Sequence, residues 1–169
     1  MSGLSPPNGI QLVQLLGSAN WADRERAANS LASRGADAAP DLVKGMAHSD
    51  WRVRAQCAAL MDHLANEACL EALLAALHDT SPHVRRHAVH SLGCQKCKRH
   101  SLPVDVVSHL IERALEDDSI RVRRVAVHQL GLQPHDPRAV KALTAILQSV
   151  TDQKLLSRAA FAMQNHLTL

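Results

Sequence analysis

Cys94, Cys97 and His100 stand three residues apart in the segment CQKCKRHSLP, and His90 lies four residues before Cys94. Thiolate and imidazole groups at such spacing can build a tetrahedral zinc site, with His87 as an alternative fourth ligand. The chain holds one Cys-x-x-Cys rather than two pairs, and Lys96, Lys98 and Arg99 beside it would lower the thiol pKa without any metal. Bound zinc, a reactive thiol pair and two incidental cysteines in a basic loop all stay open. A second constellation is cationic: Arg86, His87 and His90, then Arg124 and His128 at matching places 38 residues on. Such a cluster suits an anion or an acidic partner, and it also suits the solvated face of an ordinary helix. His83, His87 and His90 form a helical stripe that reads as solvated, because no carboxylate or thiol clearly faces it. Trp21 and Trp51 are either exposed anchors or indoles packed across turns. No Gly-rich phosphate loop, HExxH or GxSxG is present, and no spacing sets a nucleophile beside a base. No catalytic residue is assigned.

The elements that must position these groups repeat. Asn20, Asp50, Ser81, Ser119 and Asp152 form one column of helix-capping residues, spaced 30, 31, 38 and 33 residues apart. Apolar residues recur three, seven and eleven positions after most of them. Val84–Gln95 and Val122–Gln133 agree at nine of twelve positions. A period of this size predicts a stacked repeat array. Each repeat reads as two helices, the first over about 9–17, 38–47, 67–78, 103–116 and 137–149, the second over about 21–34, 51–65, 82–93, 120–131 and 153–167. Residues 1–8 read as a loose lead-in. Residues 9–167 read as one domain with repeats near 9–35, 36–65, 66–93, 94–131 and 132–167. Gly35, Gly93 and Gly131 fall where a left-handed residue would end a helix. The one long interval, 38 residues, places the Cys-x-x-Cys segment in an added loop.

Winding the second helices puts the positions three, seven, eight and eleven after the cap on one apolar arc. Arg24, Arg54, Arg85 and Arg123 lie inside that arc, where a lone guanidinium is costly. The turn carboxylates Asp50, Asp79, Asp117, Asp118 and Asp152 are the expected partners, giving a structural ladder between repeats. The last repeat has Leu156 instead. Arg86 and Arg124, one residue later, fall on the opposite, free face.

Composition narrows the class. The chain has 169 residues, a net charge of +3, one Phe, two Trp and no Tyr. The Ala, Leu and Val bias favours packed helices over a sheet. The charge falls short of a polycationic nucleic-acid binder. No apolar run is long enough to span a membrane and no export signal is visible, so a reduced, cytoplasmic protein is expected.

The pattern of cap, Val-Arg, Ala and Leu with an Asp in the preceding turn resembles HEAT repeats, in particular the short bacterial kind related to the phycobilisome-lyase repeat. Asp50–Leu60, Asp79–Gly93 and Asp118–Gly131 carry it best. The resemblance implies an all-α, right-handed α-solenoid of about five helix pairs, with the second helices lining its concave side. Some HEAT-like proteins are bilin lyases or DNA glycosylases, yet no catalytic motif of either is matched here.

The expected function is therefore a non-catalytic scaffold whose concave face binds a protein partner, probed first at Arg86, His87, His90, Arg124 and His128. An acidic partner fits that face. Duplex nucleic acid is the alternative, with phosphate contacts from Arg86, Arg121, Arg124, Lys96, Lys98 and Arg99. A metal-dependent or lyase-like role at Cys94, Cys97 and His100 is a further alternative.

Overall fold

The computed structural model describes residues 7–64, 67–96 and 102–167. Ten α-helices account for nearly all of it, and the described residues contain no strand. They are α1 (Gly9–Leu15), α2 (Trp21–Ser33), α3 (Ala39–Gly45), α4 (Trp51–Leu64), α5 (Glu67–Ala76), α6 (Pro82–Gly93), α7 (Val106–Glu116), α8 (Ile120–Leu130), α9 (Pro137–Ser149) and α10 (Gln153–Leu167). Odd and even helices alternate as the two members of each pair. The even helices stack on one another from α2 to α10 and the odd helices cover one side of the stack. The result is an α-solenoid.

The apolar columns behave as their spacing requires. Val53, Val84, Val122 and Leu155 are buried, as are Ala27, Cys57, Ala88, Ala126 and Ala159, and Leu31, Met61, Leu92 and Leu130. They form two buried clusters, with Met46 packed against both. Burial pushes the Cys57 thiol up to about 12, so this sulfur acts as a small hydrophobe.

The cap column works in two ways. Asn20, Asp50 and Asp152 accept backbone N–H groups of the first turn with their side chains. Ser81 and Ser119 make no side-chain cap; instead, Asp79 and Asp117 accept the N–H of the cap residue itself at 2.8 Å. The glycine expectation needs correction at two of three positions. Gly35 alone has positive φ, at 56°. Gly93 stays helical and Gly131 has φ −66°. Both admit a neighbouring helix: a Cβ at Gly93 would lie 2.6 Å from the Gln129 Cβ, and one at Gly131 would lie 2.7 Å from the Ala162 Cβ.

Candidate functional site

Because the even helices run side by side in one sense, their N-termini share one edge of the stack and their C-termini the other. The arginine ladder lies toward the N-terminal edge. Arg54 grips Asp79 through Nε (2.7 Å) and Nη2 (2.9 Å), and its Nη1 donates to the His48 and Ser49 carbonyls. Arg85 repeats this with Asp117 (2.8 and 2.9 Å), the carbonyls of Asp79 and Thr80, and a further ion pair to Asp118. The hydrogen bonds to Asp117 hold the Arg85 guanidinium charged, above its ordinary range. Burial pushes Asp117 upward, but Arg85 and the Ser119 N–H outweigh it and leave the carboxyl below its usual range.

The other two expected rungs are different. Among the described residues, Arg24 donates to the Ser18 and Ala19 carbonyls, and Arg123 to the Ala114 carbonyl. The reason is the residue two before each cap, which in chain order is Ser18, His48, Asp79, Asp117 and Val150. An arginine reaches forward to the next member of that column. Arg24 and Arg123 would meet His48 and Val150, which offer no carboxylate. Asp50 serves as a cap and lies near Arg52, so it is not a rung.

Arg124 was expected to face solvent freely, yet it holds Asp152 through Nε (3.1 Å) and Nη2 (2.6 Å). Val150 leaves this turn without a ladder acceptor, and the cap carboxylate is taken by the next arginine instead. His90 is also engaged, with Nε2 3.2 Å from Asp62 Oδ2 and Nδ1 3.0 Å from the Gln129 amide nitrogen. His128 is exposed, with its pKa lowered by burial and by Arg158, His90 and Lys96. The five candidates therefore do not make one patch.

Arg86 and His87 belong instead to a groove of about 650 Å³. It is lined by the first inter-helix turn, by Arg24, by Trp51, Arg52, Ala55 and Gln56 of α4, and by His83, Arg86 and His87 of α6. Among the described residues, no carboxylate lines it. Trp51 stacks on His83 with centroids 4.6 Å apart, and Arg52 lies 5.1 Å over the indole. Desolvation pushes the His87 pKa down to about 4, aided by Arg86, His90 and His83, and Arg86 Nη2 lies 3.3 Å from His87 Nε2. A neutral imidazole there can accept from Arg86 and steady it. A smaller cavity, about 380 Å³, continues the track past His83 and Arg86 to Ile120 and Arg121, with Asp118 on its wall. The uncapped N-termini of α6 and α8 open beside these two cavities. The tryptophans, one column in the sequence, differ here. Trp51 is stacked, whereas Trp21 is 66% exposed.

Cys97, Lys98, Arg99 and His100 lie outside the described residues. Cys94 caps the C-terminus of α6 and is buried, and Lys96 is exposed. No described helix is long and apolar enough to cross a membrane.

Stacked helix pairs with a lined groove along one edge define a helical-repeat scaffold. The HEAT-repeat family pattern matches residues 39–106 and 70–164, and the chain belongs to that family. No curated protein matches the sequence. Among solved structures, it is similar to the complex of CpcE and CpcF of phycocyanin lyase from Nostoc sp. PCC7120, with TM-score 0.77, 22% identity, 89% of this chain and 95% of that one. A designed armadillo repeat protein in complex with the peptide (KR)4 gives TM-score 0.56 and 20% identity over 93% of this chain and 81% of that one. An engineered protein gives TM-score 0.59 and 22% identity over 95% and 81%. At these identities the likeness is one of fold.

Proposed function

We propose that this protein is a non-catalytic scaffold that binds an acidic protein segment along the N-terminal edge of its even helices. One observation carries the reading: the 650 Å³ groove presents Arg52, Arg86 and His83 around a stacked Trp51, and among the described residues no carboxylate lines it. The nearby turn carboxylates Asp79 and Asp117 are spent on the ladder. An extended chain of Asp and Glu would meet guanidinium groups, uncapped backbone N–H groups and an aromatic face in one track. The first four N–H groups of a helix lack internal partners, so an anion there gains hydrogen bonds as well as charge.

The neighbours support the class of partner. A repeat protein of this fold is known with a bound peptide, there a basic one, and the groove here has the opposite sign. CpcE and CpcF form a complex, which fits a protein partner as well. The reading moves the binding surface from Arg124 and His128, favoured by sequence symmetry, to Arg52, His83 and Arg86.

Fluorescence anisotropy of the full chain with a labelled Asp/Glu peptide tests this, beside a Lys/Arg peptide and a labelled DNA duplex. The acidic peptide is expected to bind with affinity that falls with salt. Arg52→Glu/Arg86→Glu is expected to weaken it at least about 30-fold, on the scale of losing two charge-assisted contacts. Absence of binding to the acidic peptide, or binding indifferent to that double change, overturns the proposal. Retention of the duplex alone replaces it with the nucleic-acid reading.

A further inference from the structure

At the opposite edge, three metal-binding side chains from the ends of α4 and α6 meet. Asp62 lies in the last turn of α4, His90 in the last turn of α6, and Cys94 caps α6. One ligand atom from each, a carboxylate oxygen, an imidazole nitrogen and the thiol sulfur, all lie within 4.8 Å of one another. The His90 Nε2 to Asp62 Oδ2 distance is 3.2 Å. In a tetrahedral zinc site, edges between nitrogen and oxygen ligands measure about 3.3 Å and edges to sulfur about 3.6 Å. The first edge is already formed, and the thiol needs to move by about an ångström at most.

A second observation points to a cation here. Asp62 is 4% exposed, and its Oδ1 is buried with no hydrogen-bond partner. Among the described residues, its one ion-pair partner is His90, and no Lys or Arg reaches it. A buried carboxylate oxygen left without a donor is costly. A divalent ion held by this carboxylate would neutralise its charge and lower that cost. The ends of α4 and α6 favour it too, since the last carbonyls of a helix carry partial negative charge.

The supporting shell is built as metal sites require. Gln129 of α8 is 1% exposed and places its side-chain amide 3.0 Å from His90 Nδ1. With its carbonyl oxygen turned to Nδ1–H, the amide leaves the Nε2 lone pair for the ion, and Gln129 Oε1, otherwise without a partner, gains one. Gly93 makes room for Gln129. Ser91 Oγ donates to the Ala58 carbonyl at 2.7 Å and fixes α6 against α4, which sets the register of Asp62 with His90.

We propose that Asp62, His90 and Cys94 bind a zinc-class divalent cation as three of its ligands. Mixed thiolate, imidazole and carboxylate donors select zinc over calcium or magnesium. The ion ties the second repeat to the third at the C-terminal edge. The site differs from the one the Cys-x-x-Cys spacing suggests, because its third ligand comes from another repeat.

Cobalt(II) titration of the reduced, chelator-treated full chain tests it, followed by zinc competition. One equivalent is expected, with a thiolate-to-cobalt charge-transfer band that zinc abolishes. Asp62→Asn keeps the side-chain shape and is expected to lower cobalt affinity at least about tenfold; Cys94→Ser is expected to remove the band. Circular dichroism of each variant checks the fold. A full-strength band in folded Asp62→Asn, which would place the metal on cysteine and histidine alone, overturns the proposal. So does the absence of a band in the wild-type chain.

Discussion

The two edges of the helix stack are joined by different chemistry. At the N-terminal edge, repeats are clasped by arginine and aspartate: Arg54 to Asp79, Arg85 to Asp117 and Arg124 to Asp152. At the C-terminal edge, apart from the contact of His90 with Asp62, the links described are neutral. Gln133 donates to the Gly93 carbonyl, Asn165 to the Gly131 carbonyl, and His166 Nε2 meets the Leu130 carbonyl at 3.0 Å. Helix polarity accounts for much of this. C-terminal carbonyls lack donors, so amides from the next repeat satisfy them. At the other edge, Arg54 and Arg85 each satisfy the carbonyls of their own incoming turn and reach the next turn's carboxylate. The ladder thereby engages Asp79 and Asp117, while Asp50, beside the groove, caps α4 and lies near Arg52. The C-terminal edge keeps one buried, underpaired carboxylate, Asp62, and collects His90 and Cys94 around it.

The most severe way to break the contrast is Arg85→Met. Asp117, with its side chain fully buried, would lose its main partner. Breaking a buried pair from one side costs about 3–5 kcal/mol. Urea denaturation is expected to show a loss of that size. Arg85→Met/Asp117→Leu is expected to recover most of it, since a matched apolar pair of similar volume is often no worse than the ion pair. Arg113, 3.5 Å from Asp117, remains as a second cation, so if the double variant is as unstable as the single, the cost lies in the lost carbonyl contacts and not in the carboxylate.

The repeat was legible because it is a pattern of columns. Caps, apolar positions and arginines each recur at fixed offsets, and the helices fall within a few residues of where those offsets put them. The ladder was half legible. Its donors share a column, but its acceptors occupy the column two before the cap, where Ser18, His48 and Val150 interrupt the aspartates. Asp152 stands in the cap column instead, and Arg124 rather than Arg123 reaches it. The groove was less legible still, since Arg52 and Trp51 come from a different repeat than Arg86 and His83. Asp62 had one available signal. Twelve after the cap, the column reads Ala32, Asp62, Gly93, Gly131 and Gln164, and a single acid stands in it. Proximity to His90 comes from the stacking of α4 on α6, which no local spacing encodes.

Gly93→Ala sharpens the contrast from the C-terminal side. The new Cβ would sit 2.6 Å from the Gln129 Cβ, so α8 or Gln129 must yield. Overpacking of this kind costs about 1–3 kcal/mol. Displacing Gln129 from His90 is also expected to weaken cobalt binding by about tenfold, the lower range for an outer-shell partner. Acidic-peptide affinity at the other edge is expected to stay unchanged. A fall in peptide affinity with cobalt binding intact would mean that the two edges are not independent.

The smallest expected effect concerns pH and belongs to the N-terminal edge. Desolvation, with Arg86, His90 and His83 nearby, holds His87 at about 4, against an ordinary histidine value near 6.5. A lowered histidine pKa means that the unfolded chain binds the proton more readily. The contribution of His87 to stability is therefore full above pH 6.5, declines as pH falls toward 4, and levels off below. His87→Gln removes that titration. Melting curves between pH 7.5 and 4.5 are expected to fall more steeply for the wild type than for the variant; with solvent at the half-buried ring screening most of the shift, the difference is on the order of 1–3 °C across the range. Parallel curves would mean that His87 is solvated, and that Arg86 stands in the groove without an imidazole acceptor beside it.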